Sequence, residues 1–389
     1  MNDLDTLPVP KTSPPLAARI AVSLAFFING AAFACWVSRI PVIRHNLSLT
    51  DGQLGLALLG TGVGALIGFP ISGALCARYG NKPVTIGFGF GLCAILALIP
   101  LAHSLAVLTA ILTLFGMCVG AMDVAMNANG VDVERIYGRS IMSSLHGTYS
   151  LGNLTGAMLG LVITKAGIGT GAHLVGSALL LAAMLGAIIG ILNHTRPDRT
   201  SREPVFALPS RSLLAVGAIV TCSFLCEGAM GDWSGVYMRD TLKTSPAFAV
   251  SGYVAYSLMM TIARFKGDAV LTRFGAVRVL QVSGAIAATG FGAALIFGNP
   301  IAALIGFGCI GLGMSTIAPI GFSAAGRTKG MPSGSAIAAV ATMGYSGFLV
   351  GPPIIGLLAE WITLRWSLGL IALLSLLIVA LAPNAARDS

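Results

Sequence analysis

Apolar residues run in long blocks along this chain, and each block is closed by a short polar or charged turn. The blocks fall near 17–38, 52–76, 83–101, 105–131, 140–165, 171–192, 211–236, 247–266, 277–297, 301–325, 334–360 and 365–382. A helix rises 1.5 Å per residue, so about 20 residues cross a hydrocarbon layer roughly 30 Å thick. Inside lipid no water is available to the backbone, and a helix satisfies its own N–H and C=O groups. The pattern therefore predicts an all-α membrane protein of twelve transmembrane helices.

The blocks repeat. "FFINGA" (26–31) opens like "FLCEGA" (224–229), at an offset of 198. "ARYG" (77–80) and "TRFG" (272–275) share R-aromatic-G, "TYS" (148–150) and "GYS" (344–346) share Tyr-Ser, and "FGMCVGAMD" (115–123) resembles "FGCIGLGMS" (307–315). The offsets stay between 192 and 198, and each match falls in the equivalent helix. That is the signature of a parallel duplication. Two six-helix bundles are expected, over 17–193 and 211–383. The polar stretch 194–210 joins them, and short tails lie at 1–16 and 384–389. The first tail is acidic and proline-rich, without the basic start or small-residue cleavage site of a signal peptide.

Composition agrees. The chain is 56% hydrophobic and 10% charged over 389 residues, against about 25% charged in soluble domains. The net charge of +9 does not point to nucleic acid, because it is distributed by topology. With the N-terminus inside, seventeen Lys and Arg fall on the inner side and six on the outer. The positive-inside rule then places both termini in the cytoplasm of a bacterial inner membrane. The seven cysteines lie within or at the ends of spans and read as small apolar packing residues, with no metal-ligand spacing. No cofactor is expected. The absence of a nucleotide-binding motif argues against ATP drive, and the absence of H-E-x-x-H or G-x-S-x-G argues against an enzyme.

Twelve helices in two halves, a basic central loop and "GALCARYGNKP" (73–83) resemble the major facilitator superfamily. The last is similar to that family's G-x-x-x-D-R-x-G-R-R pattern. Gly73, Arg78, Gly80 and Lys82 match it, while Ala77 stands where the family has Asp. A looser copy, "GDAVLTRFGAVR" (267–278), carries Arg273. "GAMDVAMNANGVDVERIYGR", "SSLHGTYSLGNLTGA" and "EGAMGDWSGVYMRD" resemble the YbjJ-type branch, distantly similar to the fucose permease. The permease's fourth helix carries an acid followed four residues later by Asn, and Asp123 and Asn127 match that spacing. The permease's first-helix acid aligns with Val37. The resemblance implies alternating access and proton-coupled transport of a sugar-like solute.

Candidate residues follow from the cost of polar groups in lipid. Acids in a span are expensive, face the bundle interior and mark functional sites by default. Asp123 and Asn127, at i and i+4, share a helix face. Glu227 sits mid-span in the seventh helix, and Asn29 is its counterpart in the repeat. The competing reading of both acids is structural, with Glu227 locked to a cation or hydroxyl of a neighbouring helix. His146 suits a proton relay, or else bonds a neighbouring helix. Asn153, Tyr149 and Tyr345 are expected to line the same space, and Asp123 is expected to face Glu227 across it. Asp232, five residues beyond Glu227, is expected on another face about 7.5 Å nearer the outside. There it is a gating acid or, preferably, an ion-pair partner of Arg39 or Arg239. Trp36, Trp233, Tyr253 and Tyr256 are expected mainly to pack. Arg78, Lys82, Arg135, Arg139 and Arg273 are gate candidates at the inner ends, with Asp132 and Glu134. Arg264 and Asp268 would serve likewise in the second half. "GPP" (351–353) is expected to kink the eleventh helix.

The function expected is a secondary active transporter of a small polar, sugar-like solute, coupled to protons and acting as a monomer in the bilayer. A proton-driven exporter is the alternative. A non-transporting sensor would call for a soluble domain.

Overall fold

The computed structural model describes residues 15–138, 141–192, 213–328 and 333–385. The expected linker 194–210, the tail 1–14 and Arg139 lie outside the described residues. Among those described, all regular structure is helical: α1 (Pro15–Val37), α2 (Ile40–Asn46), α3 (Asp51–Tyr79), α4 (Asn81–Leu98), α5 (Leu105–Tyr137), α6 (Met142–Lys165), α7 (Thr170–Ile188), α8 (Leu214–Val236), α9 (Pro246–Phe274), α10 (Ala276–Phe297), α11 (Pro300–Met314), α12 (Ile317–Gly326), α13 (Ser333–Ser367) and α14 (Gly369–Ala385). Among the described residues ten segments are long and apolar enough to span a membrane, α11 and α12 counting together as one. The other two expected spans fall short on one criterion each. α14 is apolar but short. α6, with 24 residues, has the length but carries Ser143, Ser144, His146, Ser150 and Asn153. Large apolar side chains such as Leu179, Ile296 and Phe297 are exposed, as lipid contact requires.

The packing shows the repeat directly. In the first half α3 packs on α5, α1 on α6 and α4 on α7; in the second, α9 on α11, α8 on α13 and α10 on α14. Glycines permit the closest approaches. A Cβ on Gly116 would run into the backbone of Thr61, and one on Gly311 into Tyr256, both pairs 195 residues apart. Without a side chain at these points two backbones come into contact, which favours association where no hydrophobic force acts between helices. The halves meet through α3 against α13 and α6 against α9.

Three details differ from expectation. Residues 301–325 do not form one straight helix: a turn at Ser315–Thr316 separates α11 from α12. α13 runs through Pro352 and Pro353, and its non-helical break falls instead at Thr363 (φ 73°, ψ 152°). α8 is extended by a π-helical turn, Tyr237–Thr241, which carries Asp240 outward. All seven cysteines are free.

The two ends differ in charge. One end, termed the basic end, holds Arg78, Lys82, Arg135 and Arg273. At the opposite end the halves are tied together. Arg44 of α2 pairs with Asp51 at 2.8 Å and with Asp240 of the second half. Glu360 of α13 accepts the Gly52 N–H at 2.8 Å, where the first turn of α3 offers unpaired donors. A Cβ on Gly55 would lie 2.7 Å from the Pro352 carbonyl, and one on Gly235 would lie 2.9 Å from the Pro41 ring.

Candidate functional site

Five helices, α5, α6, α8, α9 and α13, bring the polar groups to mid-depth. α1 and α6 lie backbone to backbone, because Gly30 faces the Tyr149 carbonyl and Gly152 faces the Phe27 carbonyl. That approach sets Tyr149, Ser150 and Asn153 beside the second half. α9 presents Tyr253, Tyr256 and Arg264 to them, α8 presents Glu227, and α5 presents Asp123.

Glu227 is locked on its C-terminal-half neighbours. Its carboxylate accepts from Arg264 of α9 at 3.3 Å and from the Ser223 hydroxyl at 3.1 Å. The side chains are 11% and 21% exposed, respectively for Glu227 and Arg264. Arg264 also donates across the halves to the Ser150 hydroxyl of α6 at 2.7 Å, and Ser150 in turn donates to the His146 carbonyl at 3.2 Å. A second α9 group, the Thr261 hydroxyl, donates to the Ser150 carbonyl at 3.2 Å.

Asp123 is held differently. Asn127 donates to its carboxylate at 3.2 Å and to its backbone carbonyl at 2.9 Å. Tyr345 of α13 donates to the other carboxylate oxygen at 3.4 Å, from the opposite half. Asp123 and Glu227 therefore do not bond each other. Tyr149 is close enough to interact electrostatically with both acids and with Arg264. Tyr253 donates to the Asn153 amide oxygen at 3.2 Å, a further bond across the halves. Asn153 also donates to the Tyr149 carbonyl.

Other expected residues sit elsewhere. Asn29 is fully buried and donates to the Val119 carbonyl at 3.2 Å. It joins α1 to α5 rather than facing Glu227, and its amide oxygen is left without a partner. His146 is exposed, its ring edge-on to Phe26 at 5.3 Å. Asp232 makes no ion pair, contrary to expectation. Arg39 is buried and spent on His173 Nδ1 at 2.7 Å and the Ile168 carbonyl, and Arg239 forms no ion pair among the described residues. At the basic end Asp132 accepts from Asn81 at 2.8 Å. Glu134 accepts the Ile141 and Met142 N–H groups at the start of α6, where helix donors favour an anion. Arg78, Lys82, Arg135 and Arg273 form no ion pair among the described residues, and Arg78 and Arg273 lie over the rings of Tyr79 and Phe274.

Ser150 and Ser223 are the residues sequence reading missed, and Arg264 was placed at the gate instead of in the site. Ending the span at residue 266 put Arg264 at its inner end, as a gate residue. α9 continues to Phe274, so Arg264 lies about 15 Å inside the helix end. A second-half acid at mid-span was the available signal, since such a group seeks a polar or charged partner on a neighbouring helix.

The sequence pattern of the Major Facilitator Superfamily matches residues 22–334. An uncharacterised MFS-type transporter of Yersinia pestis is 34% identical over 378 residues, 96% of this chain and 97% of the relative. An uncharacterised transporter of Sinorhizobium fredii is 34% identical over 365 residues, 93% of this chain and 96% of the relative. Among solved structures, a mutant of the nucleoside transporter NupG shares the fold with a TM-score of 0.76 at 12% identity, covering 95% of this chain and all of that one.

Proposed function

Because the chain belongs to the Major Facilitator Superfamily, we propose that it is a secondary active transporter that carries a small polar solute across a bacterial inner membrane, coupled to protons. One observation supports coupling above the others. Each central carboxylate is bound to a group that reaches the opposite half. Asp123 of the first half takes the Tyr345 hydroxyl of the second. Glu227 of the second half takes Arg264, which also holds Ser150 of the first. Adding a proton to Glu227 removes one charge of its ion pair and frees Arg264. Adding one to Asp123 turns an acceptor into a donor opposite Tyr345. Proton occupancy thereby changes the contacts that hold the halves together, and a neutral acid crosses the low-dielectric interior at lower cost than a charged one.

In this reading Asp123, Asn127, Glu227, Tyr149, Tyr345 and Asn153 meet the solute or the proton, with His146 as a relay toward the basic end. Asn29 keeps α1 seated on α5. Arg78, Lys82, Arg135, Arg139 and Arg273 lie on the cytoplasmic face, where the gate on that side opens. Both termini are cytoplasmic, and the single chain suffices for transport. Import fits the polar residues at mid-depth. The test is uptake into proteoliposomes under an imposed pH gradient, against exchange at equal pH. Glu227→Gln and Asp123→Asn are expected to abolish accumulation while leaving exchange measurable. Accumulation that survives in both variants rules out the proton assignment.

A further inference from the structure

The carboxylate the sequence paired with an arginine has no such partner. Asp232 makes no hydrogen bond or ion pair among the described residues, and it is not fully covered. It lies five residues beyond Glu227, about 7.5 Å closer to the end closed by Arg44 and Asp240. Three residues further on, Gly235 meets Pro41 of the first half. Asp232 therefore sits directly beneath that seal.

Its surroundings supply no cation. From α9 it is faced by Tyr253, which is in electrostatic contact with both Asp232 and Glu227. From α1, Phe33 and Val37 flank the neighbouring Gly231 at 3.6 and 3.7 Å from its Cβ position. On its own helix Glu227 and Tyr237 lie five residues to either side, and Arg239, two turns on, forms no ion pair among the described residues. The guanidinium at mid-depth, Arg264, is taken by Glu227 and Ser150. Arg39 is taken by His173 and Ile168, and Arg44 by Asp51 and Asp240. Three carboxylates at Asp123, Glu227 and Asp232 thus share one guanidinium, and Asp123 is met only by neutral donors. Tyr253 stacks on Tyr256, with ring centroids 5.6 Å apart and planes at 29°. Aromatic faces attract ammonium groups, and more strongly when these are desolvated.

An acid with no cation paired to it, close to an aromatic side chain, is completed by a positive charge brought in by the solute. We propose that Asp232 binds a protonated amine on the transported solute, so that the substrate class is small hydroxylated amines rather than neutral sugars. The inference rests on the transporter reading of the central site and names its substrate. The ammonium group docks at Asp232 beneath the seal. Asn127, Asn153, Tyr149 and Tyr345 then remain for hydroxyls of the same solute, because they offer neutral donors and acceptors.

The test is thermal melting of the purified full chain in detergent at fixed ionic strength. Glucosamine, ethanolamine and putrescine are titrated against glucose, ethylene glycol and 1,4-butanediol as neutral matches. A ligand that binds the folded state raises the melting temperature by mass action. At least one amine is expected to half-saturate at a concentration about tenfold or more below its neutral match, the range expected for a charge-assisted bond. Asp232→Asn is expected to erase that difference and Asp232→Glu to keep much of it. Equal titrations within every pair overturn the proposal, and so does an amine preference that survives Asp232→Asn. If Asp232→Asn fails to fold, Asp232→Ser is read instead, and the wild-type pairs decide on their own. The outcome is separable from proton coupling. Amine preference without gradient-driven accumulation leaves this inference standing and removes the coupling. Accumulation of a neutral solute without amine preference does the reverse.

Discussion

Replacing Arg264 by Met keeps an apolar stem and removes the charged guanidinium. Two contacts go: the ion pair to Glu227 at 3.3 Å and the bond to Ser150 at 2.7 Å. Glu227 is left with the Ser223 hydroxyl alone. Breaking a fully buried pair from one side costs about 3–5 kcal/mol, mostly from the stranded charge. Here the partners are 21% and 11% exposed, which lets water reach the carboxylate and places the expected loss near the low end, about 2–3 kcal/mol. Glu227→Gln removes the other charge while keeping a group that can bond Ser223. The double variant Arg264→Met with Glu227→Gln strands no charge and is expected to recover about 2 kcal/mol relative to the sum of the singles. The assay is unfolding in mixed micelles with increasing SDS, read by tryptophan fluorescence, for all four proteins of the cycle. If the two singles add within about 0.5 kcal/mol, the groups are independent, and the claim that Arg264 balances Glu227 is wrong.

Further outcomes follow from the same geometry. Tyr345→Phe removes a long hydroxyl contact from Asp123, which keeps Asn127, so stability is expected to fall by about 0.5 kcal/mol or less in the same SDS titration; a larger fall means Tyr345 carries more of Asp123 than the distance allows. Gly116→Leu and Gly311→Leu drive a side chain into the facing backbones of Thr61 and Tyr256, and each is expected to cost about 3 kcal/mol or more, seen as loss of the monodisperse peak in size-exclusion chromatography. Arg44→Ala removes the pair that ties α2 to Asp240. Spin labels at Leu47→Cys and Lys243→Cys, on a cysteine-free background, are expected to show a longer distance population in that variant, and an unchanged distribution would remove Arg44 from the seal.

The fold was legible because lipid leaves the backbone few options. Long apolar blocks can only be helices there, and the duplication appeared as matched short motifs; in the packing it appears as the Gly116–Thr61 and Gly311–Tyr256 contacts. Span ends were less legible. α9 carries Arg264 well inside the helix, and hydropathy alone cannot separate a buried paired cation from one at the membrane surface. The acids of the site stood out by their cost in an apolar segment. Their partners did not, since pairing depends on which helices touch. Asn29 was matched to Glu227 by the repeat, yet it turns to α5 because the two halves differ in local packing. Asp232 was assigned an arginine on proximity in depth, but Arg39 points into the α1–α7 joint and meets His173. The turn at Ser315–Thr316 and the break at Thr363 had no proline or obvious glycine signal at the position itself.

The most direct test of coupling is proton influx into proteoliposomes loaded with a pH-sensitive dye, evoked by adding a solute that stabilises the protein. The account expects the solute to acidify the lumen in the wild type, and expects both Asp123→Asn and Glu227→Gln to abolish that acidification while the solute still raises the melting temperature. Acidification undiminished in both variants would contradict it.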